Sequence, residues 1–427
     1  MTGTASSTTW KRTPIGKIIR GLYDGPHATP KPASQGPVFL GIKNITDDGR
    51  LDLSEIRHIS EEDFPRWTRR VLPQPGDIVF TYEATLNRYA IIPEGFRGCL
   101  GRRLALIRPD SDKVDTRFLY YYFFGADWRT TISQNMLSGS TVDRVPLTRF
   151  PDFEISLPPL PSQRKIAFML SAYDHLIENN IRRIEILEEM AQAIYREWFV
   201  NSRFPGHEKV EMVDSELGPI PEGWQVAKLS TLVETQYGYT ESASENQVGP
   251  KYVRGTDINK RSYIQWDNVP YCPISDSDYA KYHLSLGDVL VIRMADPGKV
   301  GIVEKDIEAV FASYLIRLHI VSDSLSPYFL FYFLLSDRYQ GYVTGASTGT
   351  TRKSASAGVI TDIDLVIPPN EVRQRFEDQI AAIRQILNNL LDKNANLRRT
   401  RDLLLPKLVS GEVNVEELNA DLEEYSA

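Results

Sequence analysis

Two stretches of the chain carry an unbroken four-three alternation of seam positions. The first runs through Ile166, Leu170, Tyr173, Ile177, Asn180, Ile184, Leu187, Ala191, Ile194 and Trp198. The second runs through Phe376, Ile380, Ile383, Leu387, Leu390, Asn394, Leu397, Arg401, Leu404 and Leu408, each 210 residues after its counterpart. A mean spacing of 3.5 is that of a helix seam buried against a second helix, and Glu185, Glu189, Arg398 and Arg399 lie off the seam. A helix of about 38 residues is roughly 57 Å long at 1.5 Å per residue, more than a small domain needs as a lid. Two amphipathic helices packed on their own domains is the plainer reading. The matching pair favours one antiparallel coiled coil in which equivalent seams meet, with Asn180 and Asn394 as polar register markers.

Outside these helices the period changes from 3.5 to short, strand-like runs. GPVFLGIKNI (36–45), GDIVFTYEA (76–84), GDVLVIRMA (287–295) and VGIVEK (300–305) are bounded by Gly, Pro and Asp turns. Aromatic helices are predicted near 116–124 and 327–335, their rings more suited to core than to base stacking. Many of these features recur collinearly. Trp10 aligns with Trp224, GDIVF with GDVLV, FLYYYFF (118–124) with FLFYFLL (329–335), SGST (138–141) with STGTT (347–351), and ISLPP with LVIPP, at offsets drifting only from 214 to 210. Such a long period marks duplicated domains rather than a solenoid. The fold class is therefore α+β, with two pseudo-repeated mixed α/β domains joined by two long helices. The expected boundaries are 1–159 and 223–368 for the domains, 160–205 and 369–412 for the helices, 206–222 for a polar linker and 413–427 for an acidic tail.

Composition narrows the class further. The 427 residues are 42% hydrophobic and 25% charged, which is ordinary for a globular protein with more than one core. Two isolated cysteines, Cys99 and Cys272, offer neither a disulfide framework nor a Cys-based zinc site and suit a reducing cytoplasm. No signal pattern opens the chain, and its longest strongly apolar run is YFLFYFLL (328–335), so a soluble cytoplasmic protein is expected. Net charge is −7, yet residues 1–159 carry 21 basic against 18 acidic side chains. That balance is too weak to hold DNA by phosphate neutralisation alone, so a DNA-binding role implies partners that supply charge.

Enzymatic patterns are incomplete. LPPL (157–160) and IPPN (367–370) lack the polar residue before PP and the aromatic after it that hold a flipped base in amino-methyltransferases. PDFEIS (151–156) has two carboxylates without the lysine of a metal-dependent nuclease, and Asp296, Gly298 and Lys299 lack the rest of a phosphate loop. No catalytic residue and no metal ligand is assigned. Side chains able to reach bases or phosphates are Lys31, Lys43, Asn44, Arg66, Arg69, Arg70, Arg102, Arg103 and Arg144 in the first domain. In the second they are Tyr237, Lys251, Arg254, Lys260, Arg261, Arg293, Lys299, Arg352 and Lys353.

LPPLPSQRKIA (157–167), the helix ending WFVNSRFPG (198–206), YVRGTDI (252–258) and the closing LPKLVSGEV (405–413) together resemble the specificity subunit of type I restriction-modification enzymes. The resemblance covers essentially the whole chain. Its second helix entry departs, with Arg373 and Gln374 where the first has Gln163 and Arg164. The resemblance implies two target-recognition domains that each read half of an interrupted double-stranded DNA sequence, spaced by the coiled coil. It also implies two DNA-methylation subunits using S-adenosylmethionine and two translocase-nuclease restriction subunits using ATP and magnesium, with no cofactor on this chain. The specificity subunit of a bifunctional type IIB-like system would share the architecture. A coiled-coil scaffold without a DNA role and an enzyme acting alone are the readings from other classes.

Overall fold

The computed structural model describes residues 10–138, 142–259, 261–347 and 353–416. Packing divides the chain into two compact units, Met1–Glu178 with Asn396–Ala427, and Asn179–Ala395. This differs from a division in linear order, because both boundaries fall inside the long helices. The cause is the shared use of helix faces: each seam segment buries its apolar side chains against a domain as well as against the other helix.

In the first unit, strands β1 (Ile19–Asp24), β2 (Ala33–Leu40), β3 (Ile78–Thr81), β4 (Tyr89–Ile91), β5 (Gly98–Leu100) and β6 (Leu104–Pro109) carry the domain. An antiparallel sheet has the order β1-β6-β3-β4, and β2 pairs in parallel with β5. The continuous apolar run of β3 is buried along its length, as a strand covered on both faces requires. Helix α1 (Thr116–Tyr122) starts at Asp115, whose carboxylate accepts the Phe118 N–H at 2.9 Å. Its Phe118, Tyr120, Tyr121 and Tyr122 rings enter the core with Phe80, Tyr89 and Trp128. Lys11–Pro14 pairs with Glu154–Leu157 and leads into the long helix α2 (Leu160–Tyr195).

The second unit repeats this topology. Strands β7 (Val233–Tyr237), β8 (Lys251–Val253), β9 (Val289–Ile292), β10 (Val300–Ile302), β11 (Ala309–Phe311) and β12 (Leu315–Ile320) give an antiparallel sheet ordered β7-β12-β9-β10 and a parallel β8-β11 pair. Helix α3 (Pro327–Leu335) takes the place of α1, and Gln225–Lys228 pairs with Asp364–Ile367 ahead of helix α4 (Asn370–Val409).

The two proline-rich helix entries are structural joints. Gln163 donates from its amide to the Pro158 carbonyl at 2.9 Å and accepts the Asp115 N–H at 2.8 Å, tying the start of α2 to that of α1. Arg373, 210 positions later, reaches the Pro368, Asp323 and Asn370 oxygens from a buried position. The departure from the first entry motif thus keeps its role with a different side chain.

Helix α2 ends earlier than the expected 205, passing through a single π turn at Arg196–Val200, and α4 stops at Val409 rather than 412. The expected linker is partly folded: Met212–Val213 pairs with Ile220–Pro221, and Phe204, Ile220 and Trp224 form a small apolar cluster.

Within each unit the helix segments meet in antiparallel order. In the first, Ile166 and Leu170 share a core with Leu405 and Leu408, Leu404 packs against it, and Arg401 donates to Asp174 at 2.6 Å. In the second, the Asn180 amide donates to Asn394 at 2.8 Å, Ile184, Leu387 and Leu390 cluster, and Phe376 lies against Tyr195 and Trp198. Ile177, Ile380 and Ile383 are buried, while Leu187, Ile194, Leu397 and Trp198 are half-buried. Ala167, Tyr195, Leu405 and Val409 are also buried, so the covered face is wider than a two-position seam. The asparagine pair sits in this interface with Asn394 only 2% exposed. Asn180→Leu should therefore cost about 1–3 kcal/mol by removing a hydrogen bond from a buried amide, read as a lower urea midpoint with an unchanged denaturant slope.

Candidate nucleic-acid interface

The duplication reaches down to an unusual turn. After β3 the chain bends at Ala84 and after β9 at Ala295, each with φ of 71°. A side chain with Cβ loses about 1–3 kcal/mol in this region, so the surroundings must fix it. They do so identically. The Ala84 N–H donates to the Asp143 carbonyl at 2.9 Å, and the Val145 N–H to the Tyr82 carbonyl at 2.8 Å. The Ala295 N–H donates to the Lys353 carbonyl at 3.0 Å, and the Ala355 N–H to the Arg293 carbonyl at 2.9 Å. Beside each turn the end of a strand closes on a glycine. Gly25 bonds the Leu104 carbonyl and Gly238 the Leu315 carbonyl. A Cβ at either glycine would stand 2.2 or 2.3 Å from the Gly101 or Ala312 oxygen, so only glycine fits.

The side chains on this common frame are different. In the first domain Tyr82 donates to the Arg102 carbonyl at 3.0 Å, Arg103 lies 3.3 Å from Glu83, and Arg70 pairs with Asp24 at 2.5 Å. Arg144 is exposed and bridges the strand end at Glu83. Burial, with help from Asp24 and Glu83, pushes the Tyr82 hydroxyl up to about 12, which keeps it a donor. In the second domain the Arg293 guanidinium lies over the Tyr237 ring, 4.9 Å from its centroid. Tyr237 accepts the Ala357 N–H at 3.1 Å and keeps an exposed face, and Tyr314 is exposed nearby, its carbonyl receiving the Arg293 N–H at 2.9 Å. Lys299 and Lys353 are exposed at the two edges of the turn, each tied to it through a backbone carbonyl.

Of the residues predicted from sequence, Arg70, Arg102, Arg103 and Arg144 thus gather around one turn, and Tyr237, Arg293, Lys299 and Lys353 around the other. Lys31, Arg66 and Arg69 are exposed on other segments, and Lys43 is exposed and paired with Glu55 at 3.1 Å. Asn44 is corrected: it is 3% exposed, accepts the Gly41 N–H and donates to the Asp52 and Glu55 carbonyls, leaving its amide no donor for a base. Lys251 donates to the Val269 carbonyl at 2.7 Å over the Tyr271 ring, and Arg254 is held by Asp257 as part of a helix cap. Arg261 is exposed beside the Tyr263 ring. Lys260 and Arg352, and most of SGST and STGTT, lie outside the described residues.

Sequence reasoning missed Asp24, Tyr82, Glu83, Ser313 and Tyr314. A signal was present: at an offset of 211, Tyr82, Arg102 and Arg103 fall on Arg293, Ser313 and Tyr314.

Residues 41–189 match the family model described as the type I restriction modification DNA specificity domain. Among curated relatives, the type I restriction enzyme MjaVIII specificity subunit of Methanocaldococcus jannaschii is 25% identical over 335 residues, 76% of each chain. The MjaIX specificity subunit of the same organism is 26% identical, covering 85% of this chain and 83% of its own. The EcoBI specificity subunit of Escherichia coli is 25% identical, covering 80% of this chain and 74% of its own. The crystal structure of a type I restriction-modification S subunit from M. genitalium shares the fold with a TM-score of 0.54 at 14% identity, covering 96% of this chain and 98% of that one.

Proposed function

We propose that this chain is, like the relatives it resembles, the specificity subunit of a type I restriction-modification system, that it reads a bipartite DNA site, one half with each domain, and that it scaffolds methylation and restriction subunits. The observation that carries this reading is the turn frame at Ala84 and Ala295, built by the same backbone hydrogen bonds in both domains and carrying different side chains in each. Two readers of one design with different surfaces suit two different half-sites.

The chain itself performs no chemistry in this reading. Two methylation subunits bring S-adenosylmethionine, and two translocase-nuclease subunits bring ATP and magnesium. Placement in the cytoplasm follows from access to DNA, and among the described residues no helix is long and apolar enough to cross a membrane. The partners also supply phosphate-binding charge that a net charge of −7 does not.

Exchanging residues 1–159 for the corresponding region of a related subunit leaves both long helices intact, since α2 begins at Leu160. Sequencing of methylated bases in cells carrying the exchange should show one half of the motif replaced and the other retained. A change in both halves would contradict independent readers.

A further inference from the structure

We propose that Arg293 reads a guanine in the half-site of the second domain, an assignment that rests on the DNA-reading function above. The first argument is the comparison of equivalent positions. The strand beneath each turn keeps the same chemistry: Ile78, Val79 and Phe80 correspond to Val289, Leu290 and Val291, all buried. On the turn the chemistry changes, with Tyr82 replaced by Arg293 and Arg103 by Tyr314. A frame that is retained while the side chains it carries change is where two readers of different sequences must differ.

The second argument is the state of the guanidinium. Neighbouring arginines on these sheets are neutralised: Arg108 by Asp77, Arg317 by Asp288, Arg103 by Glu83. Among the described residues no carboxylate pairs with Arg293. Its Nε is buried without a hydrogen-bond partner, as are those of Arg103 and Arg317, but only in Arg293 is the guanidinium also without a carboxylate, and its Nη1 reaches the Ser313 carbonyl only at 3.4 Å. The Tyr237 ring, its centroid 4.9 Å from the guanidinium carbon, braces the fork from one side. A rigid, unneutralised pair of donors matches two in-plane acceptors on one base edge, the N7 and O6 of guanine in the major groove.

The test is methylation mapping by the assembled methylation complex carrying Arg293→Ala and Arg293→Lys, with the second-domain half-site identified by the 1–159 exchange. Either variant should make one guanine of that half-site degenerate, lowering discrimination there roughly 5- to 150-fold, while the other half-site is unchanged. Lysine keeps charge and stem but not the fork, so it carries the test if the alanine variant fails to accumulate. Methylation that weakens uniformly with an unaltered motif identifies a phosphate contact and overturns the assignment, as does no change at all. A wild-type motif that is not bipartite would instead overturn the proposed function.

Discussion

Arg384→Ala is expected to lower the unfolding free energy of the full chain by about 3–5 kcal/mol. Arg384 lies on α4 with its side chain fully buried. Its Nε donates to Glu304 at 2.7 Å, a second bond joins the same carboxylate, and Nη2 and Nη1 each reach Ser262, through its carbonyl and hydroxyl, at 3.0 Å. Ser262 in turn donates to Glu188 on α2, and Tyr328 donates to Glu304 at 3.0 Å. One guanidinium therefore joins the two helices to the domain within the second unit. Alanine leaves the Glu304 carboxylate, only 6% exposed, without its counter-ion, and that residual charge makes the loss large. Arg384→Met combined with Glu304→Gln removes both charges and should recover most of the loss, because a buried ion pair gains little over a packed neutral pair. Urea denaturation of the three proteins measures this. A loss below about 1 kcal/mol for Arg384→Ala would mean that water reaches the pair and that the network does not hold the domain to the helices.

The equivalent rung of the first unit has the opposite sign. Asp174 stands 210 positions before Arg384, and it accepts from Arg401 at 2.6 Å and from Tyr121 at 2.5 Å. The residue equivalent to Arg401 is Ala191, fully buried. The apolar period made the helices and their asparagine pair legible, because burial imposes a spacing that a single sequence displays. Charges that alternate between related rungs leave no period, so neither ion pair is legible in the sequence.

The same distinction explains the candidate site. The strands and aromatic helices announce themselves through local composition, and their repeat along the chain predicts the shared topology that the strand pairings show. The Ala84 turn is held by a carbonyl at Asp143, about 60 residues away, and nothing local marks an alanine for positive φ. The structural role of Asn44 is hidden for a related reason. An asparagine among basic residues resembles a base reader, whereas its Gly41 and Asp52 partners come from a helix cap and a following bend. Its structural counterpart Asp257 caps Arg254 in the same way, so aligning the two halves at an offset of 213 would have exposed the role.

Lengthening both helices by one heptad is expected to lengthen the unspecified gap of the methylated motif by about three base pairs while leaving both half-sequences intact. The argument starts from register. Asn180 meets Asn394, so a heptad inserted after Asn180 is matched by one inserted after Lys393, and every existing pair on either side keeps its partner. Seven residues return the apolar face to within about 20° of its original direction and add about 10 Å, close to three steps of 3.4 Å along DNA. Two residues in place of seven rotate everything beyond them by about 200°, turning Ile184 and Leu390 away from each other, and should abolish assembly. A heptad in α2 alone mismatches the pair and should fall between these outcomes. If the helices served only to cap their own domains, the double insertion would change stability and leave the motif as it was. Genome-wide methylation mapping of the double-insertion strain separates the two. Full activity on a motif with its original gap would show that the length of these helices does not set the spacing of the half-sites.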